Sequence, residues 1–358
     1  MPETITVNPE IVEQKVGSAF AAFGGVVVAG MIHLGDRLGL YAQMAGVGPI
    51  TSAALAEKAG LSERFVREWL LQQAASGVID HRGGMTFELG PEAALVFADD
   101  DNPLSQIANF RFLGPLAGLF MAGSRGFNGL GSTYDDHGEV VARAIDASFG
   151  AWNRHSLVGE ALPKLPGIVE RLQAGGIVAD VGCGAGAGPI AIGKAFPKSV
   201  VHGFDNSVHA ETVARENLER AGVTNVYFHN SDREPLPTEP TYDLVMTLDC
   251  LHDMSRPDLA LRAIRRAIKP DGMLFIVDID GAQTPEENLA NPMAGFLFGA
   301  SVGLCLQSSS SAPDGLQLGT FGLPEPKMRE LVTASGFSRF GRVEGLEHPF
   351  NAYYWARP

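Results

Sequence analysis

The stretch Asp180-Val181-Gly182-Cys183-Gly184-Ala185-Gly186 directly follows the apolar run Ile177–Val181 and precedes a segment with helical spacing. Its three glycines let the backbone turn tightly and let a ligand approach it closely. The stretch therefore predicts a strand–loop–helix unit of a parallel α/β sheet, with a ligand bound at the loop. A tight turn that binds nothing is the alternative interpretation.

Apolar, β-rich runs alternate with helical patterns around this loop, which is typical of a mostly parallel sheet covered by helices. Two closing runs are joined by a connection too short for a parallel crossover, so they predict an antiparallel hairpin at the sheet edge. We therefore expect an α/β domain with a seven-stranded sheet. The runs are Ile177–Val181, Val200–Phe204, Val226–His229, Leu244–Leu248 and Met273–Val277, followed by the closing pair Phe340–Leu346 and Ala352–Trp355.

Three acidic residues, Asp180, Asp205 and Asp232, follow three successive predicted strands, whose carboxyl ends form the ligand crevice of such sheets. The spacing Gly182-x-Gly184-x-x-Ala187 also satisfies a dinucleotide-binding pattern. However, a carboxylate at Asp180 would repel a pyrophosphate and attract a cation. Asp205 can accept both ribose hydroxyls, and Asp232 can accept an adenine amino group. A positively charged cofactor that contains adenosine is therefore favoured, with NAD as the alternative.

Over residues 150–358 this combination resembles the class I methyltransferase superfamily, whose first motif looks like the glycine loop. The resemblance implies a Rossmann-like domain that binds S-adenosyl-L-methionine and yields S-adenosyl-L-homocysteine. It puts Asp205 and Asp232 at the positions of the ribose- and adenine-binding acids of that superfamily. The cofactor-binding residues that we expect are Trp152, Asp180, Gly182, Cys183, Gly184, Gly186, Asp205, Asn206, Ser231, Asp232, Arg233, Leu248 and Asp249.

The segment Asp249-Cys250-Leu251-His252-Asp253-Met254-Ser255-Arg256 follows the fourth predicted strand, which places His252 near the transferred group. An imidazole, with an ordinary pKa of about 6.5, suits general-base work at neutral pH. Asp253 can orient this imidazole or cap the next helix. The alternative is that His252 only packs in the core or caps a helix.

This segment is similar to the HDW-S-D signature of plant caffeate-type O-methyltransferases, in which the histidine is the base. The resemblance implies that Asp278 supports His252, because the family has a supporting Glu there. Two positions depart from the family pattern. Leu248 stands where the plant enzymes have a cofactor-contacting Lys, and Phe321-Gly322-Leu323 offers no second supporting Glu.

The N-terminal part has helical spacing over residues 16–45, then helices over Thr51–Ala59 and Ser62–Ala75, and a hairpin signal around Arg82-Gly83-Gly84. Helix, turn, helix and hairpin follow in the order of a winged helix. The caffeate-type family dimerises through such a domain, and these apolar helix faces are too extensive for one small domain to bury. We therefore expect a homodimer. The expected domains are 1–100 (winged-helix-like), 101–165 (helical linker and pocket region, with a glycine-rich loop at 123–138) and 166–358 (Rossmann-like).

Composition argues against several classes of protein. The formal net charge of −14 repels nucleic-acid phosphates and anionic membranes. The second helix of the predicted winged helix carries charges that cancel, namely Glu63, Arg64, Arg67 and Glu68. Nucleic-acid binding is therefore unfavoured.

The cysteines Cys183, Cys250 and Cys305 lie too far apart for a zinc or disulfide motif, so we expect no metal and a cytoplasmic location. Residues Met1–Glu10 lack the features of a signal peptide. Residues 289–306 are apolar but interrupted by Asn, Pro and Gly, which favours a buried helix or a pocket lid over a membrane span.

Together these features predict methyl transfer from S-adenosyl-L-methionine to a small apolar or aromatic molecule, most favourably at oxygen, with His252 as the base. A winged-helix transcriptional regulator and a cofactor-binding protein without catalytic activity are the alternatives. Aromatic side chains are expected to form the walls of the acceptor pocket: Phe110, Phe120, Trp152, Phe296 and Phe298.

Overall fold

The computed structural model describes residues 7–100, 102, 104–129 and 131–358. Internal contacts divide the chain into two compact units, Met1–Gly114 and Pro115–Pro358. The expected boundaries at residues 100 and 165 remain a prediction. The two units are described separately.

The N-terminal unit is mostly helical, with a small three-stranded sheet. Its helices are α1 (Pro9–Arg37), α2 (Leu40–Met44), α3 (Ser52–Ala59), α4 (Glu63–Ala75) and α5 (Pro91–Phe97), and a 3-10 turn spans Ile107–Phe112. Its strands are β1 (Ile50–Thr51), β2 (Asp80–His81) and β3 (Thr86–Glu88).

The predicted winged helix is confirmed in element order. Helices α3 and α4 are followed by the antiparallel hairpin of β2 and β3, and β1 pairs with β3. The core centres on Trp69, whose indole N–H donates to the Met31 carbonyl at 2.9 Å and whose ring lies 5.2 Å from the Tyr41 ring. The α1 backbone comes very close to this core at Gly35, where a Cβ would lie 2.4 Å from the indole.

Helix α1 differs from the prediction of one helical segment over residues 16–45. It begins at Pro9, because the Asn8 side chain caps the Glu10 N–H, and it ends at Arg37. The chain then turns through Gly39 (φ 66°), a backbone conformation that β-carbons disfavour, and α2 starts. Among the described residues α1 is the one helix that is long and apolar enough to cross a membrane, on length and composition alone.

The C-terminal unit contains the predicted seven-stranded sheet. Its strands are β4 (Ile177–Val181), β5 (Val200–Asp205), β6 (Val226–Asn230), β7 (Tyr242–Leu248), β8 (Ile268–Ile279), β9 (Arg339–Arg342) and β10 (Asn351–Arg357). The order is β6-β5-β4-β7-β8-β10-β9. Strands β4 to β8 run parallel, and β10 pairs antiparallel with both β8 and β9. The predicted fold class is confirmed.

Helices cover this sheet, and two apolar clusters of buried side chains pack against it. The helices are α7 (Glu139–Ser148), α8 (Gly150–His155), α9 (Ile168–Ala174), α10 (Ala187–Ala195), α11 (Val208–Ala221), α12 (Pro257–Ala267), α13 (Pro285–Leu289), α14 (Ala294–Ala300), α15 (Leu306–Ser309) and α16 (Glu325–Ala334). Helix α6 (Leu113–Gly126) begins at the end of the first unit, and π-helical turns span Leu157–Ala161 and Ser301–Cys305.

The prediction of a loop over residues 123–138 was wrong at its start. Gly123 and Gly126 lie in α6, where a neighbour approaches so closely that a Cβ at Gly126 would meet the Gln307 amide at 2.4 Å. These glycines therefore serve helix packing rather than chain flexibility. A further 3-10 turn, Tyr134–His137, occupies the end of the segment.

Candidate active site

The glycine loop lies at the point of the sheet where the chain order reverses. Strand β4 is flanked by β5 on one side and by β7 on the other, and ligands of such sheets bind at this switch point. The loop backbone is packed tightly: a Cβ at Gly182 would lie 2.7 Å from the Cys250 thiol, and one at Gly186 would lie 2.3 Å from the Phe228 ring. Both residues have positive φ, 76° and 80°. Glycine is therefore required at both positions for shape and for backbone conformation.

The Asp180 side chain is buried in the C-terminal unit, with only 1% of the surface of the residue exposed. Its Oδ1 atom has no hydrogen-bond partner among the described residues. Burial, with a smaller contribution from Asp205, raises the pKa of Asp180 to about 8. A buried, unpartnered carboxyl is costly, and a bound cation is the chemical group that would satisfy it. The residue thus fits a positively charged ligand.

Asp205 is held by backbone donors at the end of β5. The Gly184 N–H donates to its Oδ2 at 2.8 Å, and the Ser207 N–H donates to its Oδ1 at 2.9 Å. Burial raises the pKa of Asp205, although the hydrogen bonds from these N–H groups work in the opposite direction. Each carboxylate oxygen has a second lone pair, so this rigid acid can still accept hydroxyl donors.

The remaining predicted cofactor residues lie around the same edge with different exposure. Cys183 is in the glycine loop, and its thiol lies 2.8 Å from where a Cβ at Gly203 would be. The Ser231 N–H donates to the Asp205 carbonyl at 2.9 Å. Three of the residues are exposed, which places them at the rim: Asn206, Asp232 and Arg233.

Two residues at the end of β7 face this edge. Leu248 lies over α10, where its Cδ1 would be 2.9 Å from a Cβ at Gly188. Asp249 has a positive φ of 58° and accepts from the Asn351 amide at 2.8 Å. Burial raises the pKa of Asp249 to about 7. Positive φ in a non-glycine residue carries strain that the surrounding contacts must hold in place.

The aromatic residues expected in the pocket walls are divided between the two units and have different surroundings. Trp152 stacks on Tyr353 with ring centroids 5.6 Å apart and packs against the apolar core. Phe110 lies in the N-terminal unit beside Phe97. Phe120 and Phe296 are largely exposed. Phe298 packs on Phe321 and lines an open cavity of about 450 Å³ together with Gln283, Asn288 and Lys327.

His252 lies in the 3-10 turn Leu251–Asp253 and is buried between carboxylates. Its Nδ1 is 2.7 Å from Asp278 Oδ1, and its Nε2 forms an ion pair with Asp253 Oδ1 at 3.2 Å. Burial lowers the pKa of His252, but the charges of Asp253 and Asp278 outweigh it, so the pKa is raised well above its ordinary value. The structure therefore brings together the three residues predicted to be catalytic.

Two further residues join this cluster that the sequence patterns did not indicate. The Tyr134 hydroxyl donates to Asp253 Oδ2 at 2.6 Å from 119 positions away. Cys305, in the π-helical turn, is close enough to hydrogen-bond with His252. No spacing in the sequence links these positions to His252, because each contact is set by the tertiary fold.

Some of these side chains have the chemistry of metal ligands. In each of two overlapping groups, His252–Asp253–Cys305 and Asp249–His252–Asp278, the ligand atoms lie within 4.8 Å of one another. Either group could hold a divalent ion through one ring nitrogen of His252. A ring nitrogen that binds a metal cannot accept a proton, so metal binding and general-base work at that atom exclude each other.

Comparison with known families agrees with this geometry. Residues 172–305 match a family described as a methyltransferase domain, and residues 26–98 match the Rv2258c-like winged HTH domain. The chain carries a winged helix-turn-helix domain and a class I methyltransferase domain. The resemblance seen in the sequence is thereby confirmed for both parts.

Individual relatives of the methyltransferase domain are distant. A 109-residue segment is 28% identical to (S)-coclaurine N-methyltransferase of Thalictrum flavum subsp. glaucum and covers 30% of each protein. A 157-residue segment is 29% identical to a ubiquinone biosynthesis O-methyltransferase of Klebsiella pneumoniae and covers 40% of this chain and 62% of that enzyme. The chain thus spans less than two thirds of the length of these relatives.

Human N-acetylserotonin methyltransferase in complex with SAM has a similar structure. The TM-score is 0.67 at 17% identity, with 100% of this chain and 99% of that chain covered. At this identity the likeness establishes the fold alone.

The raised pKa of Asp180 predicts how stability depends on pH. In the unfolded chain this carboxyl has an ordinary pKa of 3.8, and in the folded protein the pKa is about 8. The folded state therefore holds a proton that the unfolded state has lost. The stability from this difference is fully present below pH 3.8 and is lost as the pH rises through about 8. An Asp180→Asn variant has no such proton to lose.

We expect the free energy of unfolding of Asp180→Asn to rise relative to the unmodified protein as the pH increases from 5 to 8, by at most about 1.4 kcal/mol per pH unit. Urea unfolding of the ligand-free proteins at several pH values measures this difference. Asp232→Asn, at the exposed rim, is the matched control. A difference for Asp180→Asn that stays constant over this range would contradict the assignment.

Proposed function

We propose that the protein transfers a methyl group from S-adenosyl-L-methionine to a small apolar or aromatic molecule, at an oxygen atom. The observation that carries this proposal is the buried, unpartnered Asp180 carboxyl directly before the glycine loop of a methyltransferase domain. In its ionised form this carboxyl would repel phosphates and attract a cation, and a bound cation would in turn favour the ionised form. It therefore favours a sulfonium cofactor with an ammonium group over NAD.

The cofactor contacts follow from the chemistry at each strand end. Asp180 would bind the ammonium group, Asp205 the ribose hydroxyls, and Asp232 at the rim the adenine amino group. The close backbone of Gly182, Cys183, Gly184 and Gly186, with Leu248 and Asp249, would line the rest of the site. When bound, the cofactor supplies a methyl group on a positively charged sulfur and leaves as S-adenosyl-L-homocysteine.

His252 is the general base of this proposal. Asp278 accepts the Nδ1–H, which fixes the tautomer, so Nε2 would be the nitrogen that takes the proton of the acceptor hydroxyl. The same Nε2 lies 3.2 Å from Asp253 Oδ1, which would hold the proton once it has been taken up. The imidazolium formed in this way is stabilised by Asp278, as in other histidine–carboxylate pairs. Because the pKa of His252 is raised, the neutral form that can accept a proton is populated only as the pH rises through that raised pKa.

The regulator alternative has less support. In α4, which would read DNA, Arg67 is paired with Glu63 and Arg64 with Glu68. These pairs leave little free positive charge on the helix face, whereas DNA readers need it. A methyl-transfer assay distinguishes an enzyme from a cofactor-binding protein without catalytic activity.

We expect the protein to transfer a labelled methyl group from S-adenosyl-L-methionine to at least one member of a panel of phenols and other hydroxylated aromatics. Amines belong in the panel, because three of the relatives are N-methyltransferases. His252→Gln should lower turnover by about 100-fold or more, the usual contribution of a general base. Its affinity for S-adenosyl-L-homocysteine should be unchanged.

His81→Gln, on the exposed wing of the N-terminal unit, is the control for this substitution. Unchanged turnover of His252→Gln would remove the histidine from the base role. Turnover that disappears on treatment with EDTA and returns with a divalent ion would assign His252 to a metal instead. Binding of S-adenosyl-L-homocysteine without transfer to any acceptor would favour the non-catalytic alternative.

A homodimer through the N-terminal unit belongs to the same proposal. Large apolar side chains lie exposed along α1, among them Phe20 at 77% and Phe23 at 67% of their full surface. Contiguous apolar surface of this kind marks an interaction site. A second copy of α1 would cover it by the two-fold symmetry common in oligomers. The free cysteines fit a reducing compartment, so we place the dimer in the cytoplasm.

Light scattering should therefore give about twice the 38.0 kDa mass of one chain. A double variant, Phe20→Ser with Phe23→Ser, should shift the equilibrium to monomer, because both changes remove exposed apolar surface. Val208→Ser, at an exposed position on α11 of the other unit, is the control. A stable monomer of the unmodified protein would refute the dimer, and flotation with neutral lipid vesicles would assign the face to a membrane.

A further inference from the structure

The Tyr134 ring reaches the candidate catalytic cluster from outside the Rossmann-like elements. It lies in the 3-10 turn Tyr134–His137, and burial, followed by the charge of Asp253, raises its pKa well above the ordinary value. The side chain therefore stays a neutral phenol and acts as a hydrogen-bond donor. Its acceptor is Asp253 Oδ2 at 2.6 Å.

The two oxygens of Asp253 have different partners. Oδ2 accepts from Tyr134, while Oδ1 faces Nε2 of His252 at 3.2 Å and has no hydrogen bond within the described part of the chain. One carboxyl group thus connects the phenol to the ring nitrogen that the proposed mechanism uses. The orientation of the carboxyl group is set by the stronger, shorter contact with Tyr134.

The turn that presents Tyr134 is itself anchored. Asp136 accepts from the Thr133 hydroxyl at 2.9 Å and from its N–H at 2.7 Å, which closes a capping box. The neighbouring Asp135 accepts from the Ser207 hydroxyl at 2.5 Å, at the start of α11. Ser207 also donates its N–H to Asp205. These hydrogen bonds fix the turn that carries the phenol next to Asp205, the acid predicted to bind the ribose.

We propose that Tyr134 is a positioning residue that acts through Asp253: its hydroxyl fixes this carboxylate against His252 and weakens the hold of the carboxylate on the imidazole proton. The inference depends on the proposed function, since it concerns the base of that reaction. A hydroxyl that donates to a carboxylate takes up part of its negative charge. Less negative charge then faces Nε2, so the imidazolium holds its proton less tightly. The neutral imidazole, which is the form that can act as a base, is then more populated.

His252 is surrounded by other titratable groups, and the substitutions at Tyr134 leave each of them in place. Around the ring lie Asp249 at the end of β7, Asp253 on its own turn, Asp278 at the end of β8 and Cys305 in the π-helical turn. Tyr134 touches only Asp253 among them by a hydrogen bond that the structure records. A change at Tyr134 should therefore reach His252 through Asp253.

The contacts from Tyr134 to Asp253 and from Asp253 to His252 carry the proposal, and the titration of His252 in ligand-free protein treated with EDTA tests it without metal, cofactor or acceptor. Nitrogen-15 NMR of labelled histidines follows the nine imidazoles, and His252 is assigned by its absence in His252→Gln. In Tyr134→Phe the carboxylate loses its donor, so we expect the proton affinity of His252 to rise about threefold to tenfold. Tyr227→Phe, on the edge strand β6, is the control and should leave the proton affinity of His252 unchanged.

Two further variants separate positioning from damage to the fold. On an Asp253→Asn background the carboxylate charge is absent, so adding Tyr134→Phe should change the His252 titration much less, as a double-mutant cycle detects. Incorporation of 3,5-difluorotyrosine at position 134 makes the phenol a stronger donor without removing the ring. It should move the titration of His252 in the opposite direction, towards lower proton affinity.

An unchanged titration in Tyr134→Phe, or equal shifts with and without Asp253→Asn, would overturn the proposal. So would shifts of the same sign for phenylalanine and difluorotyrosine. If the protein transfers no methyl group but the titrations move as expected, only the proposed function fails. If transfer occurs and the titrations do not move, the role of Tyr134 fails and the enzyme stands.

Discussion

The structure depends on how it accommodates several buried or half-buried carboxyl groups at one edge of a parallel sheet. Asp180 and Asp278 are buried near the ends of β4 and β8, whereas Asp205 at the end of β5 and Asp249 directly after β7 are half-buried. The buried imidazole of His252 offsets part of their charge. Desolvated carboxylates are stable only when they are paired, hydrogen-bonded or protonated. Backbone N–H groups, the Asn351 amide and His252 satisfy some of them, but Asp180 has no partner for one oxygen. This unsatisfied acid makes the edge a site for a cation.

The acids divide into two groups, which would serve different steps of the proposed reaction. Asp180 and Asp205 lie on the side of the glycine loop, and Asp253 and Asp278 lie on the two sides of His252. The close approach of Gly182 to Cys250 brings the two groups together, since that cysteine is two residues before His252. Binding of a charged cofactor and removal of a proton can thus occur side by side. The turn with Tyr134 and Asp135 contacts Asp253 directly and reaches Asp205 through Ser207, which links the two groups a second time.

The sequence was sufficient for most of the sheet and for the acids at its edge. Apolar runs gave the positions of β4 to β8, because strands buried on both faces are apolar throughout, although β9 ends at Arg342 rather than Leu346. The pairing of His252 with Asp278 could be expected only from a family resemblance. Tyr134 and Cys305 could not be predicted, since contacts over such separations leave no local pattern. The density of glycines wrongly predicted a loop at Gly126, where the glycine is instead required by close packing of the helix.

Calorimetric titration with S-adenosyl-L-homocysteine, with NAD⁺ as the competing candidate, tests whether this edge of the sheet binds a cationic adenosine cofactor. We expect micromolar binding of S-adenosyl-L-homocysteine, no measurable binding of NAD⁺, and loss of binding in Asp205→Ala, because this substitution removes the acid that would hold the ribose. Binding of NAD⁺ in place of S-adenosyl-L-homocysteine, or binding of neither, would contradict the assignment of this edge to a cationic adenosine cofactor.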